Sequence, residues 1–116
     1  MRPSAEVDPE NRLARNNLAW LLVTGPENLR DAKEALPHAR VATDGQEQQA
    51  FLNTLGVVLC RNGNYQEAIA ILEKSIAAGD GQFDAFDLFF LAMCHAKLGD
   101  PANAKDCFDR AVMWLD

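Results

Sequence analysis

An internal repeat of 36 residues runs through this sequence. Residues 45–80 aligned with residues 81–116 give seven identical positions, among them glycine, leucine and alanine. An earlier copy precedes them, with one extra residue in its central loop near residues 23–28. The repeating units are therefore 8–44, 45–80 and 81–116. Because so short a unit cannot bury an apolar face alone, neighbouring units must stack on one another.

Each unit has the spacing of two helices joined by a turn. In the second unit Leu52, Leu55 and Leu59 fall on one helical face, as residues three and four apart do. Gly63 then predicts a stop, and a second amphipathic segment follows it. Extended to all units, this register predicts six antiparallel helices, near residues 9–24, 29–43, 47–61, 65–78, 83–97 and 101–115.

Polar residues that favour the start of a helix recur with the same period, at Asn28, Asn64 and Asp100. Such side chains accept hydrogen bonds from the free N–H groups of the first helical turn. Asp8 is the corresponding cap of the first helix. We expect residues 1–7 to be a flexible lead-in and residues 8–116 to form a single domain.

The units resemble tetratricopeptide repeats, whose signature is W-x2-L-G-x2-Y, then A-x3-F, then P. The matching positions are, unit by unit, Arg15, Leu18, Ala19, Leu22, Ala32 and Leu36; Leu52, Leu55, Gly56, Leu59, Ala68 and Leu72; and Leu88, Leu91, Ala92, His95, Ala104 and Phe108. The resemblance covers residues 8–116. It implies an all-α fold, a right-handed α-solenoid of three degenerate helix-turn-helix repeats. Small residues such as Gly56 are expected where neighbouring helices approach most closely.

The sequence departs from that pattern in three ways. Arg15 stands where the signature has an aromatic residue, and aspartate replaces the terminal proline at Asp44, Asp80 and Asp116. Each unit is also longer at the turn between repeats, which should change the superhelical twist. Pro37 lies inside the second helix and predicts a kink, because proline removes a backbone hydrogen bond at a cost of about 3 kcal/mol. A functional hinge there is the alternative.

Composition excludes several classes of partner. Acidic residues outnumber basic ones by 17 to 11, which gives a formal net charge of −6. Nucleic-acid binding needs clustered lysine and arginine, and without such a cluster we expect neither nucleic acid nor a membrane surface as a partner. No apolar run is long enough to span a bilayer. The spacing of the three cysteines fits neither a disulfide framework nor a zinc site, so a reducing cytoplasm is the expected location.

The sequence predicts no catalytic, cofactor-binding or metal-binding residues. It contains no glycine-rich phosphate loop and no HExxH or CxxC motif, and His95 stands where the family packs an aromatic side chain. Cys94 and Cys107, on the two helices of the third unit, could approach each other as a redox pair. The main interpretation is that they are buried apolar thiols. We therefore expect a non-enzymatic protein.

The resemblance places a binding surface on the concave face, which the first helices of the units line. Its predicted side chains are Asn16, Asn17, Trp20, Asn53, Val57, Arg61, Phe86, Phe89, Met93 and Lys97. Two interpretations of the aromatic residues stay open. They pack between helices and show only their edges, or they form an apolar binding floor. The implied partner is a protein or peptide with an apolar segment and basic flanks that suit the negative net charge.

A self-associating assembly or scaffold module is the alternative function. Solenoids normally end in a polar capping helix, whereas the last residues here are the apolar Val112, Met113, Trp114 and Leu115. Trp114 either packs back onto the third unit or is exposed for a partner, such as a second copy in a homodimer. Similar repeat blocks occur within larger bacterial signalling and regulatory proteins, so the resemblance also implies a bacterial module.

Overall fold

Six α-helices follow one another in the computed structural model, which describes residues 9–45, 48–79 and 84–115. They are α1 (Pro9–Thr24), α2 (Ala32–Thr43), α3 (Gln49–Arg61), α4 (Tyr65–Ala78), α5 (Asp84–Lys97) and α6 (Pro101–Leu115). All but α2 begin within two residues of their predicted start. The predicted flexible lead-in, residues 1–7, and the cap Asp8 lie outside the described residues.

The helices stack as consecutive pairs. Each first helix packs on the second helix of its own pair, and each pair packs on the next through α2 with α3 and α4 with α5. The first helices also contact one another, α1 with α3 and α3 with α5. They therefore form one layer, which we call the inner layer. This arrangement confirms the all-α repeat solenoid that the sequence predicts.

The middle pair of helices supplies most of the apolar core. Residues 52–60 of α3 are all buried, because α3 has a neighbouring pair on each side. The largest side chains that are almost completely buried include Leu59 of α3, Leu72 of α4 and Leu88 of α5. Burying a side chain of this size stabilises the fold by roughly 1.5–3 kcal/mol. The core therefore runs through all three pairs and depends most on the central one.

Gly56 confirms that small residues stand where helices approach most closely. A Cβ atom built on Gly56 would lie 2.5 Å from Cδ2 of Leu72, well inside van der Waals contact. Ala19 and Ala68, which occupy signature positions in the first two units, have no exposed surface. The small side chains thus let the two helices of a pair approach each other.

Gly63 and Gly99 end α3 and α5 in the left-handed conformation, with φ angles of 82° and 78°. Glycine adopts this conformation without the steric cost that a Cβ atom brings. After Gly63 the N–H group of Asn64 donates a hydrogen bond of 2.9 Å to the carbonyl oxygen of Leu59, and an equivalent bond follows Gly99. Each bond closes the last helical turn and directs the chain into the next helix.

The start of α2 differs from the prediction. Asn28 lies in a short 3-10 helix, Glu27–Leu29, and the N-cap of α2 is Asp31, whose Oδ1 accepts a 3.0 Å bond from the N–H group of Glu34. The N–H group of Asp31 itself donates to the carbonyl oxygen of Leu22 at 2.8 Å. That bond ties Asp31 to α1, so the helix begins only after it. The helix continues through Pro37, and a kink there stays a prediction.

Asp100 is confirmed as a cap. Its Oδ1 accepts a 3.2 Å hydrogen bond from the N–H group of Asn103, and its Oδ2 accepts a 2.6 Å bond from the side-chain amide of the same residue. Asn64 occupies the N-cap position of α4, but its side chain makes no capping hydrogen bond. The periodic polar positions therefore mark the helix starts in two of the three units and act as a side-chain cap in one.

Candidate functional site

The inner layer carries a row of aromatic side chains. The ring centroid of Trp20 in α1 lies 5.5 Å from that of Phe86 in α5. The Phe86 ring lies 4.9 Å from the ring of Phe90, one turn further along α5. In the inner layer α3 packs between α1 and α5. The contact of Trp20 with Phe86 therefore crosses over α3 on one side of that layer. We call Trp20, Phe86 and Phe90, together with Arg61, the inner-face row.

Positive charge lies at one end of this row. The guanidinium carbon of Arg61 is 5.5 Å from the ring centroid of Phe90, within the range of a cation–π contact. Arg61 and Lys97 hold equivalent positions in successive units, and both are exposed. The pKa of the Cys60 thiol is lowered chiefly by a hydrogen bond with Cys94, and the charges of Arg61 and Lys97 lower it further. The two cations therefore lie near the same thiol.

The aromatic rings of the row are only partly accessible. Trp20 and Phe86 are half-buried against the core, and Phe90 is 8% exposed. Asn17, three residues before Trp20, is exposed. The rings therefore pack against the helices, and Trp20 and Phe86 keep part of their surface open, so both interpretations of the aromatic residues remain possible.

Three residues of the predicted binding face are buried. Val57 has no exposed surface, Asn53 is 6% exposed, and Asn16 is 9% exposed. The Asn53 side-chain amide donates a hydrogen bond to Asp87. The Asn16 amide oxygen has no hydrogen-bond partner within the described part of the chain. These side chains lack the surface that ligand contact requires, because the following helix pair covers this side of α1 and α3.

Asp87 is a buried carboxylate that the sequence pattern does not predict as a site residue. It has no exposed surface. Its Oδ1 accepts the hydrogen bond from Asn53, and its Oδ2 accepts a 2.6 Å bond from the Ser75 hydroxyl. Burial raises the pKa of Asp87, and the hydrogen bonds from Ser75 and Asn53 oppose that rise. An acidic residue in the middle of the apolar stretch 85–94 was the available signal for a buried polar junction.

Phe89 and Met93, predicted for the concave face, line a different surface. A pocket of about 470 Å³ lies between α5 and α6 and is bordered by Phe89, Ala92, Met93, Ala96, Ala104, Lys105 and Phe108. The Phe89 and Phe108 ring centroids are 5.7 Å apart. Met93 is 41% exposed and Phe108 is 49% exposed. We call this apolar surface the end face.

The residues predicted for self-association are described in part. Val112 is 39% exposed and Met113 is 74% exposed, so both side chains present apolar surface on α6. The side chains of Trp114 and Leu115 lie outside the described part of the structure. The two alternatives for Trp114 therefore stay open.

The cysteines are free and buried. The main expectation, that the thiols are buried apolar groups, agrees with this, and the two thiols that influence each other's pKa are Cys60 of α3 and Cys94 of α5. The bond to Cys60 and burial raise the pKa of Cys94, and burial raises the pKa of Cys107. Within residues 9–45, 48–79 and 84–115, no three His, Cys, Asp or Glu side chains are arranged to hold a metal ion. No helix in those ranges is long and apolar enough to cross a membrane.

Comparison with known proteins identifies the repeat. A family model described as tetratricopeptide repeat matches residues 46–112, which is more than half of the chain. The match spans nearly all of α3 to α6. The first helix pair falls outside it, so the count of three family repeats stays a prediction. No curated protein and no solved structure matches the chain.

Proposed function

Because the chain belongs to the tetratricopeptide repeat family, whose members are generally non-enzymatic protein-interaction modules, we propose that it binds a peptide segment of a protein partner along the inner layer. The proposed site is the inner-face row, with Asn17 and Lys97 at its margins. Catalysis is not part of this proposal.

The contact between Trp20 and Phe86 carries the proposal. Their rings are 5.5 Å apart although they belong to the first and the last helix of the inner layer. Half-buried aromatic rings of α1 and α5 therefore meet across α3 rather than lying on a single helix. Large aromatic side chains offer much contact area at low entropic cost, which is why they are enriched in protein interfaces.

The charges beside the row determine which peptide fits it best. Arg61 and Lys97 are exposed, and the Arg61 guanidinium lies 5.5 Å from the ring of Phe90, at the end of the row. An acidic group on the partner would pair with these cations. The net charge of −6 predicts basic flanks on the partner. Salt screens the charges far from the row, however, so the two nearby cations have the larger effect on a bound peptide. We therefore propose an apolar or aromatic segment with an acidic residue next to it.

The test is a selection of peptides from a random display library on the intact chain, followed by affinity measurements on the selected peptides. We expect them to combine an aromatic or aliphatic residue with an acidic one. Arg61→Glu should weaken their binding by about tenfold or more, because it replaces attraction by repulsion. Arg61 is exposed, so this change leaves the core intact.

Arg110→Glu is the matched control, because Arg110 is an exposed arginine on α6 outside the inner layer. Its affinity for the peptides should stay close to that of the unchanged chain. The proposal is overturned if the two variants bind the selected peptides equally well. It is also overturned if the folded chain selects no peptide at all.

A further inference from the structure

The end face belongs to the third unit and is exposed. The equivalent face of the second unit is covered by the next helix pair. A shift of 36 positions relates Met93 and Phe108 to Val57 and Leu72. Val57 and Leu72 have no exposed surface, whereas Met93 is 41% exposed and Phe108 is 49% exposed. The difference arises because α5 packs on the pair α3 and α4. The internal junction therefore shows what kind of element fits this face, namely a helix in the position of α5.

Three side chains of α5 make that internal junction. Asp87 accepts hydrogen bonds from α3 and α4. Cys94 is hydrogen-bonded to Cys60 of α3. Leu91 and Ile76 of α4 border a common surface cleft. These residues at i, i+4 and i+7 define the side of α5 that faces the preceding pair.

No helix of the described part of the chain covers the same side of α1. Residues equivalent to Asp87, Leu91 and Cys94 lie 73 positions earlier, since the first unit has one extra residue. They are Ala14, Leu18 and Leu21, which we call the head face. Leu18 is 36% exposed and Leu21 is 45% exposed, and Ala14 is exposed as well.

In α3 the corresponding positions are buried by the pair that precedes it. Leu55 is 5% exposed and Val58 has no exposed surface. In α3 and in α5 this side of the helix packs against the preceding pair. In α1 the same side is apolar and exposed to solvent. The molecule carries both halves of its own internal junction, one at each end of the stack.

The two open halves match each other chemically. At the internal junction Asp87 needs two hydrogen-bond donors. On the end face the positions of those donors are held by Phe89 and Ala111, which donate nothing. A helix that brought an acid there would bury an unpaired charge, which is strongly unfavourable. The head face brings Ala14 at that position, so it presents an apolar group to an apolar site.

We propose that copies of this chain associate head to tail, with the head face of one copy docked on the end face of the next. By the register of the internal junction, Leu21 of one copy packs against Ala96 of its neighbour. Leu18 then covers Val112 and Met113. Because the two surfaces differ, each addition leaves one head face and one end face free, and the assembly grows rather than stopping at a dimer. This contact does not involve the inner-face row.

The test is sedimentation of the intact chain over a wide concentration series. We expect the weight-average mass to rise from 12.8 kDa to more than twice that value. Leu21→Glu, on the head face, and Phe108→Glu, on the end face, should each abolish this growth when present alone. An equimolar mixture of the two variants should form a one-to-one dimer that does not grow, because one intact head face and one intact end face remain.

Leu98→Glu is the matched control. Leu98 is 44% exposed, close to the values for Leu21 and Phe108, and it borders the turn before α4 rather than either open face. This variant should assemble like the unchanged chain, and circular dichroism checks that all three variants remain helical. An intact chain that stays monomeric throughout overturns the proposal. So does a Leu21→Glu variant that still dimerises, since that result indicates contact between two end faces.

Discussion

Asn53 donates a buried hydrogen bond to Asp87 and thereby links α3 to α5. The Ser75 hydroxyl of α4 donates to the second carboxylate oxygen, so one acid on the third helix pair is held by both helices of the second pair. The Asp87 side chain has no exposed surface. The junction between these pairs thus depends on a polar group as well as on apolar packing.

Replacing Asp87→Asn should change how stability depends on pH. Burial raises the pKa of Asp87 above its ordinary value, so the folded chain binds this proton more tightly than the unfolded chain does. The contribution of Asp87 to the free energy of unfolding should therefore fall as pH rises from the ordinary aspartate range through the raised pKa. The asparagine does not titrate, so the variant should lack this part of the decline.

Urea unfolding of both proteins, from about pH 4 to about pH 7, measures the effect. The difference in stability should shift in favour of the variant as pH rises. Parallel pH curves for the two proteins would show that the carboxyl has the same pKa in the folded and unfolded chains. Asp109→Asn is a suitable control, because Asp109 is exposed on α6.

Gly56→Ala should destabilise the fold although alanine favours helices. The substitution gains about 1 kcal/mol of helix propensity. The new Cβ atom would, however, lie 2.5 Å from Cδ2 of Leu72, and overpacking of a core typically costs about 1–3 kcal/mol. Since Leu72 is itself fully buried, we expect a net loss of about 1 kcal/mol in urea unfolding.

A double-mutant cycle separates these two effects. Leu72→Ala alone should cost about 2–5 kcal/mol, because it leaves a cavity. In that background the clash at Gly56 is removed, so adding Gly56→Ala should be neutral or stabilising. An equal loss from Gly56→Ala in both backgrounds would contradict steric contact with Leu72 as the cause.

The native thiols should react slowly with a thiol-specific chromogenic reagent. Cys60 and Cys107 are each 6% exposed and Cys94 has no exposed surface. In urea all three should react at the rate of free cysteine. Cys60 should react first in the folded chain, because its pKa is lowered and the thiolate is the reactive form. Cys60→Ser should then remove the earliest phase, and a rapid native reaction that survives this change would contradict the assignment.

The helices were predictable because their signals are local and repeat. Leucine spacing and the turn glycines Gly63 and Gly99 place the helix boundaries, and a glycine at position 56 indicates a close approach. The start of α2 was missed because the repeat period favoured Asn28 over Asp31, the residue that caps the helix. The N–H group of Asp31 is held by the carbonyl oxygen of Leu22, and no local preference reveals such a contact.

The candidate site was harder to predict than the fold. Trp20 and Phe86 contact each other in the inner-face row, and Arg61 lies beside Phe90; that these residues form a binding surface stays a prediction. Phe89 and Met93 lie on the end face instead, because they are on the adjoining side of α5, which borders the pocket between α5 and α6. The resemblance supplies positions on a helix, whereas the neighbouring helices decide which of them remain open to solvent.

The buried carboxylate also makes the three helix pairs non-interchangeable. Deleting residues 45–80 would bring α5 onto the first pair, where Asn16 and Ala39 stand in place of Asn53 and Ser75. Alanine cannot donate a hydrogen bond, so Asp87 would lose the bond that the Ser75 hydroxyl supplies. The order of the pairs along the chain therefore matters for the hydrogen bonds of this one buried acid. In a shortened or shuffled version of the solenoid, Asp87 would lack a donor at the new junction between pairs.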